Sequence, residues 1–376
     1  MVERKGIGHP DTICDALAEN ISRALCREYM QVFGAIAHYN VDKVLLCGGV
    51  AQPVFGDGEI LEPVELYLGG RVTAELSGRR IPAADIAVET CRAWLKAQFP
   101  ETDWERHARI VPRFRPGSGE LRSLFSKGKR VALSNDSSCG VAFAPFTGLE
   151  RAVLEVEKTL NGAQVKRAHP AIGRDIKVLG VRRGAQIDLT ISCAMVGRHL
   201  PSIADYMDAK AQARKLALEA AARVADCELD AVVNAADDIE RGEVFLTVSG
   251  TSAEAGDDGE AGRGNRVSGL ITPYRSMTME AAAGKNPMSH VGKLYSLVAS
   301  EIATRIAGSG AASAASCLMV SQIGRPVDDP QLVDVRLQPE SDGEKATALA
   351  RDIVREQLQG FQELEADLIA GRRMLF

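Results

Sequence analysis

The sequence predicts an α+β fold of several similar lobes, each a mainly antiparallel sheet backed by helices. Segments with the apolar spacing of amphipathic helices alternate about three times with paired β-rich segments. Glycine and asparagine stand between the paired segments, as in hairpins. No strict repeat or low-complexity linker divides the 376 residues, so we expect the lobes to form one compact body.

The first predicted helix begins beside Pro10, because the apolar residues at positions 13, 17, 21, 25 and 29 lie on one helical face. Asp11 or Thr12 is expected to cap this helix, and Pro10 to hold His9 in an extended conformation. The other elements predicted in the first third are strands at 44–50 and 64–68 and a helix at 83–99.

In the second third, a helix at 148–161 is expected to stop at Asn161-Gly162. Arg182-Arg183-Gly184 predicts a solvated hairpin tip between β-rich segments. The remaining predicted elements are strands at 176–181 and 186–195, a helix at 202–226, strands at 230–234 and 243–249, a helix at 289–307, strands at 316–322 and 332–337, and a helix at 343–371.

The composition excludes several classes of function. A net charge of −5 argues against a broad nucleic-acid-binding surface, so no nucleic-acid partner is expected. No apolar run approaches the roughly 20 residues of a membrane span, so no membrane partner is expected. Eight scattered cysteines without a Cys-x-x-Cys pair fit buried thiols in a reducing cytoplasm rather than a zinc site.

A glycine-rich stretch at 249–293 predicts an anion site. It contains eight glycines, the acidic pair Asp257–Asp258 and several cations, including Arg263 and Lys285. Backbone amides and cations in such a loop can surround an anion. The common phosphate-loop and dinucleotide fingerprints are absent. An exposed acidic turn remains an alternative explanation for Asp257–Asp258.

A second informative cluster spans residues 2–11, where glycines precede His9-Pro10-Asp11. Aspartate suits Mg²⁺, and a helix N-terminus favours phosphate. A capped turn with an incidental histidine explains the same residues.

These stretches belong to a longer match. The chain resembles the S-adenosylmethionine synthetases (methionine adenosyltransferases), specifically their archaeal-type branch. The resemblance runs in order along essentially the whole chain. Its motifs are VERKGIGHPDTICDALAE at 2–19, SNDSSCGVAFAP at 134–145, RDIKVLGVR at 174–182, FLTVSGTSAEAGDDGEAGRGNRVSGLITP at 245–273, MEAAAGKNPMSHVGKLY at 279–295 and SQIGRP at 321–326.

The resemblance implies a pseudo-threefold fold of three lobes, at about 1–125, 126–240 and 241–376, which can interleave. It implies that methionine sulfur attacks C5′ of ATP and that the displaced triphosphate is hydrolysed to phosphate and pyrophosphate. Mg²⁺ and K⁺ are the implied cofactors. The implied assembly is a cytoplasmic homodimer, or a dimer of dimers, with active sites between subunits.

The resemblance also assigns catalytic roles. His9 is implied to lie beside the ribose and triphosphate, Lys177 to act on the bridging oxygen at C5′, and Arg263 to hold the triphosphate. Asp11 is the implied Mg²⁺ ligand. A solvated strand-edge lysine is the alternative explanation for Lys177.

The remaining assignments concern substrate binding. Asp175 is implied to lie close to adenosine or methionine, Asp257 on the methionine side, and Lys285 on the polyphosphate tail. Asp136 is expected to contact ATP, although Asn135-Asp136-Ser137 is also an ordinary turn composition. Gly117, Ser118 and Glu120 align with a glycine-rich element assigned to ATP.

The sequence departs from the family pattern at several positions. Arg115-Pro116 replace the usual first pair of the glycine-rich element. Arg174 stands where Glu is usual, and Val50 stands where a longer polar side chain is common. The chain also starts at VERKG, whereas relatives carry a further N-terminal segment. Two alternatives therefore stay open: an adenosyltransferase that prefers a methionine analogue, and a non-catalytic ATP-binding subunit.

Overall fold

The computed structural model describes residues 1–120, 131–340 and 342–376. Three principal sheets, each covered by helices over its own apolar core, confirm the predicted α+β class. The strands are β1 (Val2–Lys5), β2 (Tyr39–Cys47), β3 (Val50–Val54), β4 (Asp57–Glu62), β5 (Val64–Val72), β6 (Glu75–Leu76), β7 (Arg79–Arg80), β8 (Ala108–Arg115), β9 (Cys139–Ala144), β10 (Ile172–Arg183), β11 (Gln186–Val196), β12 (Glu228–Val233), β13 (Leu246–Thr247), β14 (Gly259–Glu260), β15 (Ala312–Val320) and β16 (Leu332–Pro339).

The helices of the described residues range from one turn to more than six. They are α1 (Pro10–Phe33), α2 (Ala83–Gln98), α3 (Trp104–His107), α4 (Gly148–Leu160), α5 (Ala163–Ala168), α6 (Ile203–Ala222), α7 (Val291–Gly308), α8 (Gly343–Gln359) and α9 (Phe361–Ala370). None of them is long and apolar enough to cross a membrane.

Each principal sheet pairs strands from distant parts of the chain. The first sheet has the order β14-β2-β5-β8, the second β1-β10-β11-β12 with β13 beside β11, and the third β16-β15-β9. Most neighbours are antiparallel, whereas β5–β8, β11–β12 and β11–β13 are parallel. The chain therefore passes between the lobes, and the predicted boundaries near 125 and 240 stay a prediction.

Two of these crossings carry the residues of interest. Strand β1 pairs with β10, so that Lys5 lies opposite Lys177. The short strand β14 pairs with β2, which places the glycine-rich stretch on the first sheet beside α1. The N-terminal motif and the glycine-rich stretch thus meet at the junction of the first and second lobes.

Helix α1 confirms the apolar spacing predicted from residue 13 onward, since its inner face is buried in the first core. The predicted cap was wrong. His9, not Asp11 or Thr12, is the N-cap, and its side chain accepts a hydrogen bond from the backbone N of Asp11. Pro10 occupies the first helical turn, where its missing N–H costs nothing. His9 is extended, as predicted, with φ −69° and ψ 137°.

Two other predictions differ from the structure. The strand predicted at 243–249 is reduced to Leu246–Thr247, because the backbone N–H groups of Val248 and Ser249 donate to the carboxylate of Glu254 instead of a sheet. The helix predicted at 343–371 is two helices that meet at Gly360. The predicted hairpin tip is confirmed, with Arg182 and Arg183 exposed.

Candidate active site

The candidate site lies where the N-terminus of α1, strand β10 and the glycine-rich stretch meet. Gly8 N donates to Arg174 O at 3.1 Å, and Thr251 Oγ1 donates to Gly8 O at 2.6 Å. A Cβ on Gly8 would lie 2.4 Å from the carbonyl carbon of Arg174, so only glycine permits this approach. The three segments are thus held together directly beside His9.

His9 is buried, and its imidazole orientation is fixed by helix capping. Nδ1 accepts from Asp11 N at 3.2 Å, so the neutral ring carries its proton on Nε2 and offers a donor there. Burial lowers the pKa of His9 to about 4, and the neighbouring charges of Lys5, Lys177 and Arg263 act in the same direction. His9 is therefore neutral at physiological pH.

Asp11 is anionic and held on both sides. Lys5 Nζ donates to its Oδ2 at 2.7 Å, and Glu260 N donates to its Oδ1 at 2.9 Å. Burial opposes ionisation of Asp11, but these bonds outweigh it and the pKa is lowered. Each carboxylate oxygen keeps further accepting capacity, so the side chain can supply one oxygen to Mg²⁺.

Two cations next to His9 have no anionic partner among the described residues. Lys177 is half-buried on β10, and Arg263 is exposed in the glycine-rich stretch; their side chains form no hydrogen bond or ion pair with the described part of the chain. Lys177 pairs across the strands with Lys5, whose Nζ lies 2.7 Å from Asp11 Oδ2 and 3.4 Å from the carbonyl oxygen of Arg263, so both cations belong to the surroundings of the α1 N-terminus. Unpaired cations around a buried neutral donor can bind an anion.

Asp175 and Asp257 are joined through Ser252. Asp175 is buried, and its Oδ2 accepts from Ser252 N at 3.0 Å and from Ser252 Oγ at 2.6 Å. Ser252 Oγ also lies 3.1 Å from Asp257 Oδ2. Burial raises the pKa of Asp175 to about 6, against the opposing effect of the Ser252 bonds. The structure thus brings both predicted aspartates together.

Lys285 is buried and already paired. Its Nζ lies 2.8 Å from Asp42 Oδ2 and 3.2 Å from Glu280 Oε2. The burial of Asp42 opposes ionisation, yet the charge of Lys285 lowers its pKa overall. Lys285 also acts electrostatically on Asp15 of α1. It therefore belongs to a neighbouring cluster and is not in hydrogen-bond contact with His9.

The predicted ATP residues near β8 lie apart from this cluster. Gly117 and Glu120 follow the end of β8 and form no hydrogen bond or ion pair with another described residue. Ser118 and Glu120 are exposed. Asp136 precedes β9, and its pKa is raised by burial and by the nearby charge of Glu280. Asp136 thus lies with Lys285 rather than with His9.

Sequence reasoning gave no role to several residues that shape the site. Lys5 pairs with Asp11, Ser252 joins two aspartates, and Asp42 neutralises Lys285. Asp15 accepts from Gly262 N at 2.8 Å and holds the segment before Arg263. The position of Asp15 one helical turn after Asp11 was a usable signal, since both share a helix face.

Comparison with known proteins gives one consistent result. The sequence profile described as S-adenosylmethionine synthetase (AdoMet synthetase) matches residues 1–372. A probable S-adenosylmethionine synthase of Aquifex aeolicus is 49% identical over 368 residues, covering 96% of this chain and 92% of that protein. An S-adenosylmethionine synthase of Pyrococcus furiosus is 46% identical over 341 residues, covering 90% and 85%.

A solved structure has a similar fold. It is that of an unusual S-adenosylmethionine synthetase from Campylobacter jejuni, with a TM-score of 0.65 over 98% of this chain and 92% of that chain. The two sequences are 16% identical, so this likeness concerns the fold alone.

Proposed function

Since this chain belongs to the S-adenosylmethionine synthetase family, in its archaeal-type branch, we propose that the cluster around His9, Lys177 and Arg263 is where it transfers the adenosyl group. The enzyme is a methionine adenosyltransferase. It forms S-adenosylmethionine from ATP, L-methionine and water, with release of phosphate and pyrophosphate.

The observation that carries the proposed location is the pair of unpartnered cations beside a buried, neutral histidine. In the reaction, the methionine sulfur forms a bond to C5′ while the C5′–O bond breaks. The bonding pair and the oxygen leave with the triphosphate. Charge therefore grows on that oxygen, and preorganised donors stabilise it best when no reorganisation is required.

Each residue then has a distinct task. Lys177 Nζ, free of an internal partner, donates to the departing oxygen. The Nε2–H of His9 donates to the adjacent phosphate, and its low pKa keeps the ring in one protonation state. Arg263 binds the outer face of the triphosphate. Water attack on phosphorus then splits the triphosphate, with the same cations balancing its charge.

The linked aspartates are suited to the methionine side. Asp257 is exposed, and Asp175 is buried behind Ser252. We assign the carboxylate of Asp257 to the methionine ammonium group, with Ser252 and Asp175 fixing its orientation. Asp175 itself, on β10, is proposed to lie close to adenosine or methionine.

The metal requirement is part of the proposal. Mg²⁺ bound through Asp11 would supply charge neutralisation to phosphate oxygens. Asp11 can serve as one ligand, because its side chain is anionic and each of its oxygens can accept a further bond. K⁺ is proposed as the second cofactor, and no residue is assigned to it.

We assign the enzyme to the cytoplasm and to a homodimer, or a dimer of dimers, with active sites between subunits. In that assembly Gly117, Ser118 and Glu120, which lie outside the His9 cluster, would reach ATP across the interface. Val50 is exposed at the start of β3 and is the first residue to test for preference towards a methionine analogue.

Substitution of Lys177 by alanine tests the catalytic proposal. Turnover should fall by at least 100-fold, while equilibrium binding of ATP with Mg²⁺ stays within a few-fold of the wild type. Lys215→Ala, on the exposed face of α6, is the matched control. If the chain were a non-catalytic ATP-binding subunit, neither the wild type nor the variants would show turnover. Unchanged turnover in Lys177→Ala would remove Lys177 from the mechanism.

A further inference from the structure

Strand β10 leaves its regular pairing just before the chain reaches Lys177. Its register with β11 shifts between Ile172 and Ile176. We call residues 173–175, which lie within this shift, the β10 bulge. Backbone groups in a bulge lose their partners in the ladder, and where they are buried each needs another partner. The partners of the β10 bulge therefore determine where Asp175 lies.

Several of these backbone groups are bound by segments that form the candidate site. Arg174 N and Asp175 N donate to Gly250 O at 3.1 Å and 3.0 Å. Arg174 O accepts from Gly8 N at 3.1 Å and from Asn161 Nδ2, at the end of α4, at 3.1 Å. The glycine-rich stretch, the N-terminal motif and α4 thus converge on the β10 bulge.

Lys166, on the short helix α5, binds the start of the bulge. Its Nζ donates to Ile172 O at 3.0 Å and also to Gly173 O. Within residues 1–120, 131–340 and 342–376, Lys166 forms no ion pair. Burial of its ammonium group lowers the pKa of Lys166 to about 7. The side chain is therefore committed to the backbone of β10 and not to a carboxylate.

This contact depends on hydrogen bonding more than on charge. With a pKa of about 7, the protonated and the neutral form of Lys166 are both populated at physiological pH. The ammonium group has three N–H donors and the neutral amine has two, so either form can donate to both carbonyl oxygens. A side chain without N–H donors is therefore the substitution that removes the contact.

The bulge carries Asp175 but not Lys177. Asp175 Oδ2 accepts from Ser252 Oγ, which also lies 3.1 Å from Asp257 Oδ2. Lys177 lies beyond the bulge, where it pairs regularly with Ser192 on β11. A displacement of the bulge would thus move the linked aspartates more than the lysine that is proposed to act at C5′.

We propose that Lys166 is a positioning residue for methionine. Its side chain holds the start of the β10 bulge and thereby sets the position of the Asp175 carboxylate, without touching substrate. This inference rests on the proposed function, because it assumes that Asp175 and Asp257 serve the methionine side. A purely structural role would lower stability alone, whereas a positioning role changes KM for methionine.

Substitution of Lys166 by methionine tests this role, because methionine keeps most of the side-chain length and removes every donor. KM for methionine should rise about 10-fold, since a small displacement of binding groups is costly, while kcat and KM for ATP stay within about threefold of the wild type. Lys166→Gln keeps an amide donor on a shorter side chain and should give a smaller rise. It replaces Lys166→Met in the comparison if that variant does not fold.

Lys210→Met is the matched control. Lys210 Nζ also donates to a backbone carbonyl oxygen, that of Asn234 at 3.0 Å, and it pairs with Asp237. Asn234 follows β12, which β11 separates from β10. Both methionine variants should lower the urea midpoint, because a backbone carbonyl loses its donor. Only Lys166→Met should raise KM for methionine.

An unchanged KM for methionine in a folded Lys166 variant, or an equal rise in Lys210→Met, overturns the positioning role and leaves the adenosyl transfer intact. Absence of turnover in the wild type would instead contradict the proposed function, and the role of Lys166 with it.

Discussion

Two histidines of this chain share one arrangement. His9 and His290 are both N-caps of long helices, and in each the Nδ1 accepts from the backbone N two residues later. Burial lowers their pKa values to about 4 and about 3, respectively. Capping thus fixes the tautomer and burial fixes the charge, so that each ring directs one defined nitrogen, Nε2, towards a partner other than the helix.

The pH dependence of activity follows from Asp175. Its pKa is raised to about 6 by burial, while the bonds from Ser252 lower it. Below pH 6 the carboxyl becomes protonated, so kcat/KM for methionine should fall as the pH decreases. Ser252→Ala removes the hydrogen bond from the Ser252 hydroxyl and therefore raises the pKa of Asp175 further. The midpoint of the decrease in kcat/KM should move to higher pH by about one unit.

Steady-state profiles from pH 5 to 8 measure this effect, with Ser313→Ala on β15 as the control. If the midpoint of this decrease were the same in Ser252→Ala as in the wild type, the assignment to Asp175 would be contradicted.

A buried ion pair predicts a stability effect at one residue. Lys293 is fully buried, and its Nζ lies 2.7 Å from Glu19 Oε2. Glu19→Gln leaves this ammonium without a compensating charge and should cost about 3 kcal/mol. The urea midpoint should fall accordingly.

The exposed pair Lys345–Asp342 provides the comparison, since Lys345→Ala should leave the midpoint unchanged. Equal decreases of the urea midpoint in Glu19→Gln and Lys345→Ala would show that burial does not determine how much the Lys293–Glu19 ion pair contributes to stability.

At the scale of elements, the glycine-rich stretch is positioned by close backbone contacts. A Cβ on Gly264 would lie 2.6 Å from Asp15 Oδ2, the oxygen that has no described partner. Gly264→Ala must therefore displace either the Asp15 carboxylate, whose Oδ1 accepts from Gly262 N, or the segment itself, and either change disturbs the position of Arg263. We expect at least a 10-fold loss in kcat/KM for ATP.

Gly308→Ala is the matched control, because a Cβ there meets no atom within 4 Å. Similar activity of the two variants would mean that the position of Arg263 is not set by this contact.

Elements with strong local signals were predicted well from the sequence. Helix α1 followed from apolar spacing, and the β10–β11 hairpin from its exposed turn. Histidine is an uncommon N-cap, so the sequence favours Asp11 or Thr12 in that position. His9 is the N-cap in the structure because its backbone is held in the extended conformation before Pro10. The strand predicted at 243–249 is shorter in the structure because the backbone N–H groups of Val248 and Ser249 donate hydrogen bonds to the Glu254 carboxylate.

At the scale of the whole molecule, the site depends on contacts between distant residues. Asp11 meets Glu260, and Lys285 meets Asp42. Spacing along the chain cannot predict such pairs, because they follow from how the sheets are shared between lobes. The family resemblance supplied the names of most site residues, but not that Lys285 is internally neutralised or that Lys166 donates to the β10 bulge.

The proposed assembly is testable by sedimentation. One chain has a mass of 40.3 kDa, so a dimer should sediment at about twice this mass in the micromolar range. A species of single-chain mass that retains full activity would contradict active sites completed between subunits.

Adenosyl transfer requires that the methionine sulfur break the C5′–O bond of ATP. The most direct measurement uses ATP labelled with ¹⁸O at the ribose 5′ oxygen, with methionine and Mg²⁺, followed by mass spectrometry of all products. We expect equal amounts of S-adenosylmethionine, phosphate and pyrophosphate, with the label retained in the released phosphates. Label in a nucleoside product, or ADP or AMP as the main product, would contradict it.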